Sequence, residues 1–567
     1  MADNKTTGNA GKQKNKGNTG NPGKLKNKSN NGNPEKQQGN RTMGNSGENR
    51  RGRQADPRVL ICRIIGAVLE EGAFSHEEIA RAFRQYPDMD PRDRGMIEYC
   101  TRAVLEHLYQ IDAYLALCAS KPVRKLKPWI RTILRVSMAQ LLYMDRIPPR
   151  AVLNEAGKLT GQFGLSGLRG YVNGVLRGYL RLRSQAEEEG FDLEEKAMQA
   201  FARMQGFMQM QDCQPDDEVQ ADYGEIGRLS FHYSMPAWII SRYVKDFGID
   251  QAEGILAAYQ KPVRIACARN KAVINRAAFT EAMDRENAQA EPLPYGLDGL
   301  YLNGTDDLTA MKPFQDGAFF IQDVSSMIQG LVVHGGQLIP GDQAIHEDKA
   351  AEENHGPNKN KDKKQEQEQE QEHILILDVC GAPGGKSFHA ASDLEGRGRV
   401  ICRDLSREKA DRILENVRRL RLDNVEVQVW DALKEDPSLT GKADLVIADL
   451  PCSGLGIIGR KPEIRYRVQE ADITELAALQ RQILKVCASY VKPGGRLVYS
   501  TCTLSREEDE DNYRYLTEEL PFSPESLDPY LPAELRSAET GRGRLKLIPG
   551  IHECDGFFVS SAIRRKE

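Results

Sequence analysis

The sequence predicts a multidomain chain: an all-helical N-terminal part, a small α+β middle, and an α/β C-terminal half with a Rossmann-like, doubly wound sheet. Three observations carry that prediction. Residues 374–387 read Ile-Leu-Ile-Leu-Asp-Val-Cys-Gly-Ala-Pro-Gly-Gly-Lys-Ser. They open on an apolar run of the kind found in strands buried on both faces, then pass through a glycine-rich turn into a helix-forming segment. Strand-like runs then recur at 399–401, 425–429, 445–448 and 496–500. Helical stretches lie between them, clearest at 407–420 and 473–490, and such alternation winds a parallel sheet. Upstream, Ile130, Ile133, Leu134, Met138, Leu141 and Leu142 form one helical stripe.

Composition bounds the rest. At 567 residues and a net charge of -4, the chain has room for several cores. The 11 cysteines are an odd number and lack the paired short spacings of a zinc site or a disulfide framework. Free thiols in a reducing cytoplasm are therefore expected. No apolar run has the length of a membrane span, and none follows the charged N-terminus as a signal peptide would.

Taken in order, residues 1–55 form a polar tail, with 12 Lys and Arg against 3 Asp and Glu up to Arg53. Such a segment cannot offset its chain entropy by burial, so it is expected to be disordered. Residues 56–183 read as a compact helical domain. Asp56-Pro57 caps its first helix, and Ile61, Ile64, Ile65, Val68 and Leu69 mark one face. Ser75 with Glu78 has the spacing of a capping box. Pro148-Pro149 stops the helix carrying the Ile130 stripe. Tyr171, Val175, Leu176 and Tyr179 mark a further helix. From Lys121 to Arg183 there are 13 Lys and Arg against 2 Asp and Glu. That excess exceeds what solubility asks and predicts polyanion binding.

Residues 184–222 are acidic and rich in Gln and Met, and read as a helix or linker. Residues 223–340 mix a helix at 236–247 with strands at 263–269 and 318–322, an α+β subdomain. Residues 341–372 are charged low complexity ending in alternating Gln and Glu, an insertion ahead of the catalytic domain at 373–567.

The glycine stretch admits several readings. A strand, a tight turn and a helix N-terminus together favour a carboxylate or phosphate. A phosphate loop needs four residues between its first glycine and Gly-Lys-Ser/Thr. Here only Ala382, Pro383 and Gly384 separate Gly381 from Gly385. The Gly-x-Gly-x-x-Gly dinucleotide spacing is absent as well. A nucleotide triphosphatase, with Asp449 after the 445–448 run as its magnesium ligand, and glycines kept for packing alone remain the competing accounts.

Reactive residue types recur at the carboxyl ends of the strands. Cys380 follows the first, Asp404 the second, Asp431 the third, Asp449 with Cys452 the fourth, and Thr501-Cys502-Thr503 the fifth. An acid about twenty residues past a glycine turn suits ribose hydroxyls, which is where Asp404 stands. A single aspartate after a strand is ordinarily a turn residue; three in equivalent positions point to a site. Cys62, Cys100, Cys118 and Cys487 lie on apolar helical patterns and read as core residues. Cys380, Cys402, Cys452 and Cys502 lack metal-ligand spacing.

These segments carry a resemblance. Residues 378–387, Asp449-Leu450-Pro451-Cys452-Ser453-Gly454 and Ser500-Thr501-Cys502-Thr503 resemble the cofactor box and two cysteine boxes of the RNA cytosine-5 methyltransferases. Gln322-Asp323 and Gly556-Phe557-Phe558 fit as well. Residues 151–156 and 171–177 resemble the helical RNA-binding domain of the antitermination factor NusB, so the N-terminal domain is expected to be NusB-like. The chain departs from the family at Gly381, where alanine is usual, and at Ser387, where threonine is usual.

The resemblance implies S-adenosylmethionine as methyl donor, no metal, and small-subunit (16S) ribosomal RNA as partner. A cytoplasmic monomer without membrane contact is the accompanying expectation. It also implies roles. Cys502 is the nucleophile on carbon 6, Asp449 holds the N3 edge of the base, and Cys452 assists product release. Cys380, Gly381, Ala382, Pro383, Gly384, Gly385 and Lys386 embrace the methionine part of the cofactor, with Asp404 on the ribose and Asp431 near the adenine, and Asp449 is counted among the cofactor contacts as well. Cysteine suits such an attack because a pKa of about 8.5 leaves some thiolate at neutral pH. In DNA cytosine methyltransferases the attacking cysteine lies in the Pro-Cys box, which would exchange Cys452 and Cys502; the Thr-Cys-Thr box favours the RNA arrangement. A non-catalytic RNA-binding assembly factor on the same fold is the alternative outside enzymes.

Overall fold

The computed structural model of the protein describes residues 56–205, 217–286, 288–303, 308–334 and 374–566. The tail expected over 1–55, the low-complexity segment at 341–372 and part of 184–222 lie outside the described residues. No helix among those described is long and apolar enough to cross a membrane.

The N-terminal part packs helices Pro57–Glu71, Ser75–Gln85, Pro91–Glu106, Leu108–Cys118, Pro128–Tyr143, Pro149–Gln162 and Arg169–Glu189 around one apolar core. The helical stripes supply that core: Ile61, Ile65, Ile133, Leu134 and Met138 have no exposed surface. Asp56 caps the first helix, its carboxylate accepting from the Arg58 amide at 3.0 Å. The expected capping box at Ser75 does not form. Ser75 is the first residue of its helix, and its amide and hydroxyl bind the Glu463 carboxylate at 2.9 and 3.0 Å instead. A buried charge far along the chain outcompetes Glu78, which pairs with Arg81. The Pro128–Tyr143 helix ends before Pro148-Pro149, and Pro149 opens the next helix, where its missing N–H costs nothing. Arg124, Lys125, Lys127, Arg150, Arg169 and Arg177 of the basic stretch are exposed.

Helices Leu193–Gln205 and Asp217–His232 follow. The first seats Phe201 against Phe231 of the second, with Ala113 in the same cluster. The middle part holds an antiparallel sheet of β1 (Ile265–Arg269), β2 (Gln289–Pro292), β3 (Gly299–Asn303) and β4 (Phe319–Ile321), in the order β2-β3-β1-β4. The second and third of these strands were not legible as strands, being short and largely polar or half-buried.

The catalytic sheet contains β5 (Ile374–Asp378), β6 (Gly398–Asp404), β7 (Val425–Val429), β8 (Ala443–Asp449), β9 (Val491–Thr501), β10 (Phe522–Pro524), β11 (Arg544–Leu547) and β12 (Phe557–Arg564). The order is β10-β12-β9-β8-β5-β6-β7, with β11 also paired to β12. β5 to β9 run parallel, and β12 returns antiparallel on β9. The sheet is therefore mixed, where the alternation predicted only its parallel part. Strand order reverses at β5, with β6 and β7 added on one side and β8 and β9 on the other, which puts the switch point, and the crevice that binds ligands in such sheets, at Asp378 and the glycine turn.

Candidate active site

At the end of β5 the chain turns through Gly381 and a cis Ala382-Pro383 bond to Gly384, whose φ of 110° favours glycine. A Cβ on Gly384 would lie 2.1 Å from the Phe388 ring. Gly381 is equally confined: a Cβ there would meet the Cys402 sulfur at 2.3 Å. The departure from alanine is thus matched by a sulfur filling the vacated space from β6. Ser387, the other departure, keeps the hydroxyl and donates to Asp378 Oδ2 at 2.7 Å. Burial raises the Asp378 carboxyl to about 7.

The helix Gly385–Asp393 starts at Gly384 with no side chain capping it. Its first-turn N–H groups receive no side-chain cap, an arrangement that suits a carboxylate. A Cβ on Gly385 would find only the Gln322 side chain, at 3.8 Å. Gln322 donates to the Gly385 carbonyl at 3.3 Å, and its amide oxygen accepts from His389 Nδ1, 3.0 Å away, so the middle part braces this helix. Asp404 ends β6 and accepts from the Ser406 amide at 3.0 Å. Leu405 beside it is 71% exposed, and Val429 and Leu433 across the strand ends are 43% and 44% exposed. Asp431 accepts from the Leu433 amide at 3.1 Å. Open amides, a carboxylate and an apolar strip in that order match the carboxylate, ribose and flat base of S-adenosylmethionine, so these residues fit that group.

Two placements differ from the sequence reading. The Cys380 side chain packs on the other face of the sheet beside the cluster holding Cys487, and burial pushes its thiol up. Lys386 sends its ammonium to Asp449 Oδ2 at 2.7 Å and lies over the Phe557 ring, rather than into the cradle. Burial pulls hardest against the Lys386 charge, but Asp449, Asp378 and Cys502 together outweigh it and the pKa is raised. Ser500 donates to Asp449 Oδ1 at 2.7 Å, fixing the carboxylate from the next strand.

Cys452 and Cys502 follow the neighbouring strands β8 and β9, and their sulfurs lie 3.2 Å apart. The Cys502 amide also donates to the Cys452 sulfur at 3.3 Å. The Cys452 thiol is raised well above its ordinary range, by its hydrogen bond with Cys502 first and by burial second. Cys502 is partly exposed and packs against the same apolar core as Ala382 of the glycine turn. The pair, the Lys386–Asp449 ion pair and the cradle thus converge at the carboxyl ends of β5, β8 and β9. Cys62, Cys100 and Cys487 are buried core residues; Cys118 is only half-buried, against Gly178. Among the described residues no His, Cys, Asp or Glu side chains cluster as a metal site.

Sequence reading missed a layer behind the cysteines. Glu508 and Asp509 belong to an acidic run after the Thr-Cys-Thr box, which ordinarily reads as a solvated face. Both are fully buried and bonded to the residues flanking the cysteines. Arg460 lies between Asp323 and Asp555, paired to both. Burial raises the Asp555 carboxyl to about 7. The signal for these groups was only their closeness in sequence to the boxes.

Known proteins match the chain part by part. The 16S rRNA methyltransferase RsmB/F profile matches residues 365–563, the NusB family profile residues 55–181, and the ferredoxin-like domain of RsmF/B-like methyltransferases residues 235–309. A Bacillus subtilis (strain 168) protein named "Probable ribosomal RNA small subunit methyltransferase B" is 30% identical over 483 residues, covering 84% of this chain and 92% of that one. Ribosomal RNA small subunit methyltransferase F of Pectobacterium atrosepticum is 29% identical over 314 residues, 54% of this chain and 58% of its own. The solved structure of PH0851 superposes with a TM-score of 0.66 at 20% identity, covering 90% of this chain and 99% of that chain, which shows a shared fold. With a NusB-type helical domain in front and a Rossmann-like sheet carrying the cradle, the chain belongs to the RsmB/F family of S-adenosylmethionine-dependent small-subunit ribosomal RNA methyltransferases.

Proposed function

We propose that the protein methylates carbon 5 of a cytosine in small-subunit ribosomal RNA through a transient bond between the Cys502 sulfur and carbon 6. The observation that carries this reading is the 3.2 Å approach of two thiols beside the Lys386–Asp449 pair and the glycine cradle. When bound, S-adenosylmethionine supplies an electrophilic methyl group on a sulfonium sulfur. Carbon 5 of cytosine is too weak a nucleophile to take it unaided. The Cys502 thiolate adds to carbon 6, and the displaced electron pair makes the ring enamine-like, with charge developing toward N3. Asp449 faces that edge, and the Lys386 ammonium against it counters the charge as it forms. Carbon 5 then takes the methyl group. A general base takes the carbon 5 proton, the carbon 5–hydrogen electron pair re-forms the ring double bond, and the carbon 6–sulfur electrons return to Cys502. Cys452, in contact with that sulfur, assists this last step.

The backbone from Gly381 to Lys386 with Asp404 and Asp431 holds the cofactor, and the exposed basic side chains between Arg124 and Arg177 hold the RNA phosphates. The target base must be single-stranded or flipped, because attack on a ring face cannot occur within a stacked helix. Ribosomal RNA transcribed with 5-fluorocytidine tests the reading: a covalent complex stable to denaturant forms with the wild type and with Cys452→Ala, and not with Cys502→Ala. An adduct that survives Cys502→Ala but not Cys452→Ala reverses the two cysteines.

A further inference from the structure

Behind each reactive thiol stands a buried carboxylate, and the two touch different neighbours. Glu508 accepts from the Ser453 amide at 2.9 Å and from the Ser453 hydroxyl at 2.5 Å. Gln480 adds a third donor to Glu508 at 3.1 Å. Because the Ser453 hydroxyl gives its hydrogen to Glu508, the Thr503 hydroxyl 2.7 Å away must donate to Ser453. Glu508 therefore fixes the residue after Cys452 directly, and reaches the residue after Cys502 only through it. Asp509 accepts from the Thr501 hydroxyl at 2.6 Å, and Lys546 lies 3.0 Å from its other oxygen. Thr501 precedes Cys502 and is itself fully buried.

The two carboxylates are consecutive in sequence, which holds their separation constant while each anchors one loop. The loops after β8 and β9 are also tied to each other, the Gly456 amide donating to the Cys502 carbonyl at 3.1 Å, and Gln480 donates to the Pro451 carbonyl at 2.8 Å, so the two carboxylates act within a connected pair of loops. The burial of Glu508 raises its carboxyl, and the donors around it oppose that shift, which is the balance of an anchor and not of a free acid.

We infer that Glu508 and Asp509 are positioning residues with separate tasks: through Ser453, Glu508 holds Cys452 for product release, and through Thr501, Asp509 holds Cys502 for attack. The inference rests on the covalent reading proposed above. Neither carboxylate touches the substrate; each acts by keeping a sulfur where the reaction needs it. A structural anchor alone would slow every step together, whereas this arrangement slows one step for each carboxylate.

Single-turnover methylation of small-subunit rRNA transcript, quenched in denaturant, separates the steps by resolving covalent complex from released product. For Ser453→Ala and Glu508→Gln, release slows about tenfold and the methylated adduct accumulates, while its formation changes by less than about threefold. For Thr501→Val, formation slows about tenfold and release is spared. Asp509→Asn, whose amide oxygen still accepts from the Thr501 hydroxyl, keeps formation within about threefold of wild type, whereas Glu508→Gln loses one of the two oxygens that both accept from Ser453. Equal slowing of both steps in all variants, or no change in either, overturns the inference. Failure of the covalent reading looks different: wild-type protein then gives no adduct with 5-fluorocytidine RNA, or Cys502→Ala still gives one.

Discussion

The two sides of the catalytic sheet are built by different means. Toward β6 and β7 the crevice is made of backbone: a glycine turn, an uncapped helix start, one carboxylate and an exposed apolar strip. Toward β8, β9 and β12 it is made of side chains locked in a buried polar layer, where Tyr499, Gln480, Asn512, Glu508 and Asp509 bond one another and the cysteine loops. A cofactor that must enter and leave needs shape and open donors, which a main chain supplies at low entropic cost. Thiols that must stay within contact of each other and of a base need fixed rotamers, which only a satisfied network enforces. Substitutions should therefore separate the two sides: affinity for the methyl donor on one, the chemical step on the other.

The sharpest cut is on the thiol side. Cys502→Ala should lower methyl transfer about a thousandfold or more while leaving S-adenosylmethionine binding, followed by equilibrium dialysis, unchanged. A parallel loss of binding would erase the distinction between the sides.

Next in size is the seam at Asp378. Its folded pKa is raised from 3.8 to about 7, so between those values the folded state holds a proton that the unfolded chain has lost. Stability from this group is thus present at low pH and falls as pH rises toward about 7, where the loss levels off. Denaturant midpoints at pH 4.5 and 8 should show the wild type losing roughly 2–4 kcal/mol more than Asp378→Asn across that window. The same slope in both proteins would assign the pH dependence to other groups.

On the glycine side, Gly384→Ala places a Cβ 2.1 Å from the Phe388 ring at a left-handed φ. Affinity for S-adenosylmethionine should fall about a hundredfold, with thiol alkylation rates at Cys502 little changed. Asp404→Ala should cost about tenfold in affinity, with the single-turnover rate at saturation preserved. The smallest effect lies outside both sides. Arg124→Ala with Lys125→Ala should weaken RNA binding about threefold to tenfold at moderate salt and lower the salt slope by up to about 2, without touching the chemical step on saturating RNA.

How far the chain could be read in advance follows from where its signals are local. The stripe Ile130, Ile133, Leu134 and Met138, the Asp56-Pro57 cap and the apolar run before Asp378 all lie within a turn or a strand, and each appears in the structure as expected. The Ser75 capping box did not, because Glu463, 388 residues away, competes for the same donors. Antiparallel β12 was noticed only for Gly556-Phe557-Phe558, since nothing in its own residues says which strand it will pair with. Glu508 and Asp509 were hidden for a related reason: in sequence they are two more charges in an acidic run, and only the fold reveals that they point inward.

The sequence by itself determined the residue types and their order: which strands end in sulfur or carboxylate, where glycine permits the turn, and which part of the chain is basic. Hydrophobic period and turn chemistry are properties of neighbours along the chain, so they could be read there. Tertiary structure alone decided that Lys386 meets Asp449, that Cys402 fills the space beside Gly381, and that Cys452 and Cys502 come within 3.2 Å. Those are distances between segments joined by tens of residues of loop and helix, and the packing of the sheet, not the spacing of the letters, sets them.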